Sequence, residues 1–255
     1  MARKTEKVLG YDIDLISLSS AVDFVMGKIL KREGIQVVTV NPEIMAIAAK
    51  NQEYSRILRH ADLVVPDGSG ITLALKLKGI EQEQVPGIDL AYELIKTCRD
   101  MKYSVALIGA KEEVLQTTKK RLEAEFRGLD ICFCRNGYFS NDKEEGIINQ
   151  LDETDPQLVL VALGAPKQEL FIKKCREKIK YAAFIGVGGS FDVWAGAVER
   201  APEFFRVMGW EWIYRTFKQP QRIKRIYKVL PVFLFKVIIE AIRTNGIFVK
   251  RKSND

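Results

Sequence analysis

The sequence predicts an α/β fold: a mostly parallel sheet with helices on both faces, followed by a basic C-terminal helical appendage. Three observations predict it. Short β-branched runs alternate with longer segments of helical spacing as far as residue 195. The residues that follow each run are rich in Gly, Pro, Asn and Asp, the residue types that turn a chain. Positive charge then gathers in residues 200–255, where 13 Lys/Arg face 4 Asp/Glu, although the whole chain of 255 residues carries only +7.

Taken in order, the opening "VLGYDIDL" reads as a strand or hairpin, with Ser17 or Ser19 starting the next helix. The sheet runs are "IQVVTV" at 35–40, "DLVV" at 62–65, "SVALIG" at 104–109, "LDICFC" at 129–134, "QLVLVAL" at 157–163 and "AAFIGV" at 182–187. Between them, segments such as Glu112–Arg127 and Lys167–Lys178 place apolar residues at helical spacing. Such alternation argues for parallel strands covered on both faces. A boundary is expected near 195–200, separating a core of residues 1–195 from an appendage of 196–255.

Composition excludes several chemistries. The one histidine, His60, leaves no material for a His-based triad or a His-rich zinc site, so a general base should be a carboxylate. Cys98, Cys132, Cys134 and Cys175 form no CxxC pair, and the N-terminus lacks a secretory apolar region, which points to a reducing cytoplasmic setting. No stretch reaches the roughly 18–20 apolar residues of a spanning helix. The nearest, Ile226–Ile242, is cut by Lys228, Pro231, Lys236 and Glu240. Basic residues beside Trp210, Trp212, Phe233 and Phe235 suit a helix lying on a bilayer surface. That apolar excess is too large for a nucleic-acid face, and no nucleic-acid motif is present.

In a parallel sheet, ligands bind outside the carboxyl ends of the strands, so the post-strand residues are the candidates. Asp67 in "VVPDGSG" reads either as a crevice carboxylate or as a helix N-cap. Asn41 in "TVNPE" reads as an N-cap ahead of Pro42 or, with the Thr39 hydroxyl, as a sugar partner. Gln168 in "GAPKQE" falls in a first helical turn and is expected to face the crevice, whereas its neighbour Glu169 suits a helix N-terminus. Gly188 lies in "GVGGSFD", whose glycines allow backbone N–H groups to approach an anion; Asp192 there is either a cap or a ribose or base partner. The loop lacks GxGxxG order, which argues against a nicotinamide site. Tyr138 in "RNGYF" could stack on a nucleoside or pack at the surface. Arg215, Arg222 and Arg225 are spaced by seven and three, on one face if a helix were continuous past Pro220.

Together, "TVNPE", "PDGSG", "VPGIDL", "GAPKQE", "GVGGSFDVWAGAVERAP" and "GWEWIYR…QPQR" resemble the WecG/TagA/CpsF family of bacterial glycosyltransferases, in order and over about residues 8–228. The resemblance implies a Rossmann-like core with a membrane-associating appendage. It implies an inverting, metal-independent transfer, without a cofactor, from a UDP-sugar to undecaprenyl-diphosphate-linked GlcNAc. In one branch the donor is UDP-N-acetylmannosamine and the product the linkage unit of wall teichoic acid; UDP-ManNAcA or a UDP-hexose is the alternative donor.

By matching motif, Asp67 resembles the catalytic base, with Thr39, Gln168 and Asn41 beside it. Arg215, Arg222 and Arg225 resemble appendage arginines over the diphosphates, and Tyr138, Gly188 and Asp192 resemble nucleotide contacts. The expected location is cytoplasmic, peripherally on the inner face of the cell membrane; a homo-oligomer stays open. Two other classes are weighed: a nucleotide-dependent oxidoreductase, which the missing glycine fingerprint disfavours, and a non-catalytic adaptor whose basic tail recruits an acidic partner or a membrane.

Overall fold

The computed structural model describes residues 3–207, Tyr214 and 220–251, with side-chain detail for 3–205, 214 and 228–243. The chain opens with an antiparallel hairpin, β1 (Thr5–Val8) and β2 (Tyr11–Asp14). Helix α1 (Leu18–Leu30) follows, and Ser17 caps it by accepting the Ser20 N–H. A six-stranded parallel sheet comes next: β3 (Ile35–Val40), β4 (Leu63–Pro66), β5 (Ser104–Gly109), β6 (Asp130–Arg135), β7 (Leu158–Ala162) and β8 (Ala183–Gly186). The spatial order is β4-β3-β8-β7-β5-β6, parallel throughout.

Five of the six strands, β3, β4, β5, β7 and β8, are buried at every residue, which is why their runs read as nearly continuous apolar stretches. Odd positions such as Val37, Val65, Val105 and Ile185 pack on one face beneath α1, α5 (Gly87–Met101), α6 (Glu112–Glu125) and α9 (Ser190–Trp194). On the other face, Val38, Val40 and Val64 meet α2 (Pro42–Ala48), α3 (Gln52–His60) and α4 (Ser69–Leu77), while Ile108, Val161 and Phe184 meet α7 (Glu144–Glu153) and α8 (Lys167–Lys178).

The hairpin is tied to the edge of this sheet. Asp14, 2% exposed, accepts the Val64 N–H at 2.7 Å and pairs with Arg3 at 2.5–2.7 Å. It thereby steadies β4 three residues before Asp67.

After the short α10 (Glu203–Val207), the long helix α11 (Pro220–Arg251) returns to the sheet edge. It opens on Pro220, where a missing N–H costs nothing. It also continues through Pro231. Phe233, Val237 and Ala241, spaced by four, are buried, and the first two join the core formed by the hairpin, α2 and α4. Glu240 accepts the Leu9 N–H at 3.0 and 3.1 Å and pairs with Lys78 at 3.6 Å. No helix among the described residues is long and apolar enough to cross a membrane.

Replacing Asp14 by Ala would leave the Val64 N–H buried without a partner. A stability loss of about 1–3 kcal/mol is expected, measured as a shift in the urea unfolding midpoint at constant slope.

Candidate active site

The crevice forms at the carboxyl rim of β4, β3, β8 and β7. Thr39 pairs with Val65 across the β3–β4 register, and the Asp67 N–H donates to the Val40 carbonyl at 2.8 Å. Thr39, Val65 and Asp67 share one parity, so Thr39 and Asp67 belong to the face covered by α5. The chain also returns here: the Val85 N–H donates to the Pro66 carbonyl at 2.7 Å, setting the N-terminus of α5 on Thr39. A Cβ at Gly87 would lie 2.9 Å from the Thr39 hydroxyl, so only glycine allows this approach.

The structure separates the capping and crevice readings. Asn41 caps α2, accepting the Ile44 N–H at 3.0 Å. The N-cap position of α4 is Gly68 at φ +96°, a region that favours glycine, so Asp67 stands one residue before it. Half-exposed Asp67 lies at the rim directly after β4. The Gly188 loop is capped by Gly189, and Asp192 follows in the first turn of α9. That turn is pinned from α6 by Thr118, which donates to the Phe191 carbonyl at 3.0 Å.

Gln168 is 3% exposed, so its side chain lies beneath the crevice instead of facing into it. Its Oε1 accepts the N–H of Gly164 at 3.2 Å and of Gly188 at 3.1 Å, and its Nε2 donates to Glu169 Oε1 at 2.8 Å. One amide therefore fastens the loops after β7 and β8 together. Room for it comes from Gly186, where a Cβ would run into the Gln168 side chain. Sequence reasoning missed the next layer. Glu169, 2% exposed, turns toward the fully buried Tyr54 of α3, and neither Glu169 Oε2 nor the Tyr54 hydroxyl has a formed hydrogen bond. Burial holds the Glu169 carboxyl above the ordinary carboxylate range, against the pull of Gln168.

A second missed pair lies inside the quoted motifs. Arg200 of "VERAP" grips both carboxylate oxygens of Asp89 of "VPGIDL" at 2.6 Å, joining the segment after α9 to the first turn of α5. The signal was present in both motifs, but nothing in their spacing paired them.

Most helices that start at the rim share a feature, α2 being the exception. Among α4, α5, α6 and α8, none has a side-chain cap, whereas α1, α2 and α3 are capped by Ser17, Asn41 and Asn51. Uncapped first-turn N–H groups and the helix dipole suit a negatively charged ligand. Tyr138 stands apart: 73% exposed, it follows β6, five strand intervals from β4, or about 24 Å at the usual spacing. Arg215 lies outside the described residues. Arg222 and Arg225 fall in the opening turns of α11, and their side chains lie outside the described ones. Among described residues, no group of three or more His, Cys, Asp or Glu side chains converges as a metal site. Cys98 and Cys175 are buried, and burial pushes the Cys98 thiol up to about 12, unsuited to a nucleophile.

A parallel sheet with a carboxylate and uncapped helix ends at its carboxyl rim is suited to binding an anionic ligand. Residues 6–246 match the family described as "Glycosyl transferase WecG/TagA/CpsF family", and the chain belongs to it. It is 36% identical to the N-acetylglucosaminyldiphosphoundecaprenol N-acetyl-beta-D-mannosaminyltransferase of Bacillus spizizenii (strain ATCC 23059 / NRRL B-14472 / W23), over 78% of this chain and 77% of that protein. It is 32% identical to the protein of the same name from Bacillus subtilis (strain 168), over 88% and 87%. The chain is a glycosyltransferase.

Two substitutions test the clamp. Gln168→Ala strands two loop N–H groups and should cost about 1–3 kcal/mol in urea unfolding. For Glu169, the folded state keeps a proton that the unfolded chain releases in the ordinary carboxylate range. The stability this provides is complete at acid pH and is lost as pH rises through the raised folded value. Glu169→Gln keeps the shape and cannot ionise, so its unfolding midpoint should lack that alkaline decline when followed against pH.

Proposed function

We propose that this chain transfers N-acetylmannosamine from UDP-ManNAc to undecaprenyl-diphosphate-GlcNAc, with inversion and without a metal, making the linkage unit of wall teichoic acid. The activity named for the two Bacillus relatives supports the sugar and the acceptor. The observation that carries the site is the position of Asp67 at the rim just past β4, its N–H held by the Val40 carbonyl next to Thr39 on β3.

In this reading the acceptor hydroxyl attacks the anomeric carbon while its proton passes to the Asp67 carboxylate. The bond from the anomeric carbon to the diphosphate breaks, and UDP leaves with the electron pair. Its charge is met by the uncapped helix ends and by Arg215, Arg222 and Arg225, since guanidinium groups grip phosphate bidentately and stay charged. Thr39 positions the sugar, and Gln168 acts through the two loops it ties. In this reading the nucleoside lies toward β5 and β6 near Tyr138, Asp192 between, and the sugar toward β3 and β4; the strand order supports this arrangement.

The reading also places the chain peripherally on the cytoplasmic membrane surface, with residues 196–255 as the docking appendage. Support comes from α11, whose outer stripe of Phe235, Ile238 and Ile242 is 45–67% exposed beside Lys228, Lys236 and Arg243.

Asp67→Asn should retain donor affinity and lower turnover by roughly 10²–10⁴-fold. UDP release from UDP-ManNAc, UDP-GlcNAc and UDP-glucose, each with a prenyl-diphosphate-GlcNAc acceptor, checks both base and donor. An unchanged rate would move the base elsewhere, and preference for another sugar would reassign the donor.

A further inference from the structure

An open groove of about 1210 Å³ runs between α2 and α11, away from the strand rim that holds Asp67. It is larger than the roughly 300–1,000 Å³ typical of small-ligand sites. Its walls are apolar: Pro42, Met45 and Ala46 on one side, Val229, Val232 and Phe233 on the other. Ala48 and Ala49 widen it, because no side chain longer than a methyl projects at those two positions. From Lys228 to Arg243, α11 lines it for about 22 Å at 1.5 Å per residue.

Charge is arranged along its edge. Lys50, Arg59, Lys228, Lys236 and Arg243 line the groove against a single acidic residue, Glu240. Glu240 is already turned to the Leu9 N–H and to Lys78, so it does little to neutralise that edge. An apolar floor with a cationic edge fits an amphiphile whose body is hydrocarbon and whose surroundings are anionic. The five cations make the groove a poor seat for a basic peptide helix.

One end of the groove approaches the loop that carries Asp67. Pro42 opens α2 directly after Asn41 at the end of β3, and it packs so closely on Gly70 that a Cβ there would collide with it. Phe233 comes within 3.8 Å of the same point. Gly70 is three residues past Asp67, so one end of the groove abuts the loop that carries the carboxylate. A molecule could keep its polar end at the crevice and run its apolar body along α2.

We infer that this groove seats the first isoprene units of the polyprenyl chain of the acceptor, with the diphosphate at the Pro42 end and the rest of the chain passing into the bilayer. The inference rests on the acceptor proposed above. It assigns α11 two jobs on two faces: the outer stripe rests on lipid, and the inner face closes a channel that guides one lipid to the carboxylate.

The test compares two acceptors that share the diphosphate-GlcNAc head, one with a long polyprenyl chain and one with a short alkyl chain. Ala49→Trp, at an exposed position of the groove, and Ala46→Trp as a second variant fill it. Loss of the contact made by two or three methylenes corresponds to a rise in KM of roughly tenfold or more for the long-chain acceptor. KM for the short-chain acceptor should move far less, and donor KM should stay level. An equal change for both acceptors, or no change for either, overturns the inference. If the unaltered enzyme uses neither acceptor, the proposed function fails instead.

A diazirine-bearing polyprenyl diphosphate in vesicles containing phosphatidylglycerol supplies the second readout. Labelling at Met45 and Val229 supports the groove. Labelling confined to Phe235 and Ile242 overturns it, as does labelling of the groove by a diazirine phospholipid that the polyprenyl compound does not displace.

Discussion

A parallel sheet buried on both faces leaves a polar side chain only its rim. Within β3, β5, β7 and β8 of this protein, the few polar residues are Gln36, Thr39 and Ser104, and Thr39 sits one residue from the carboxyl end of β3. Because all six strands run the same way, every helix that follows one starts at the same edge. The sheet thus gathers Thr39, Asp67, the glycine loops and several uncapped helix ends without any of them having to be adjacent in sequence. Parallel geometry brings the candidate base and the uncapped helix ends to one place.

That rim would be loose without the layer below it. Glycines at 164 and 188 make the loops after β7 and β8 easy to deform, with φ +74° and +51°. The Gln168 amide counters this by accepting one N–H from each loop, and Glu169 in turn accepts from Gln168. A residue expected to face the substrate is instead what keeps two substrate-facing backbones in register. Its effect on chemistry would pass through Gly164 and Gly188. A buried carboxyl next to it, held above the ordinary range by burial, extends the same support toward α3 and Tyr54.

Helix α11 shows how one amphipathic segment can satisfy two environments. Its residues at 233, 237 and 241 complete the core beside α2 and α4, and Glu240 binds it to the hairpin through a backbone N–H and Lys78. The opposite stripe at 235, 238 and 242 stays exposed. A helix with apolar residues on both sides and cations between them suits a boundary between protein and lipid better than either bulk phase.

The strand runs, their alternation with helices, the hairpin and the Ser17 and Asn41 caps were legible in the residues, because burial on both faces and capping are local demands that write themselves into short stretches. The motifs after the strands also marked the rim, and they sufficed to identify the family. Asp67 was ambiguous as text, since an aspartate before a helix caps it more often than not; only the backbone at Gly68 placed the N-cap position one residue after it. Gln168 looked like a crevice residue until three-dimensional packing turned it beneath two loops 4 and 20 positions away. The Asp89–Arg200 pair, the Glu169–Tyr54 contact and the groove between α2 and α11 join residues from 111 to nearly 200 positions apart. Contacts of that kind depend on how layers stack, which periodicity within a segment does not encode.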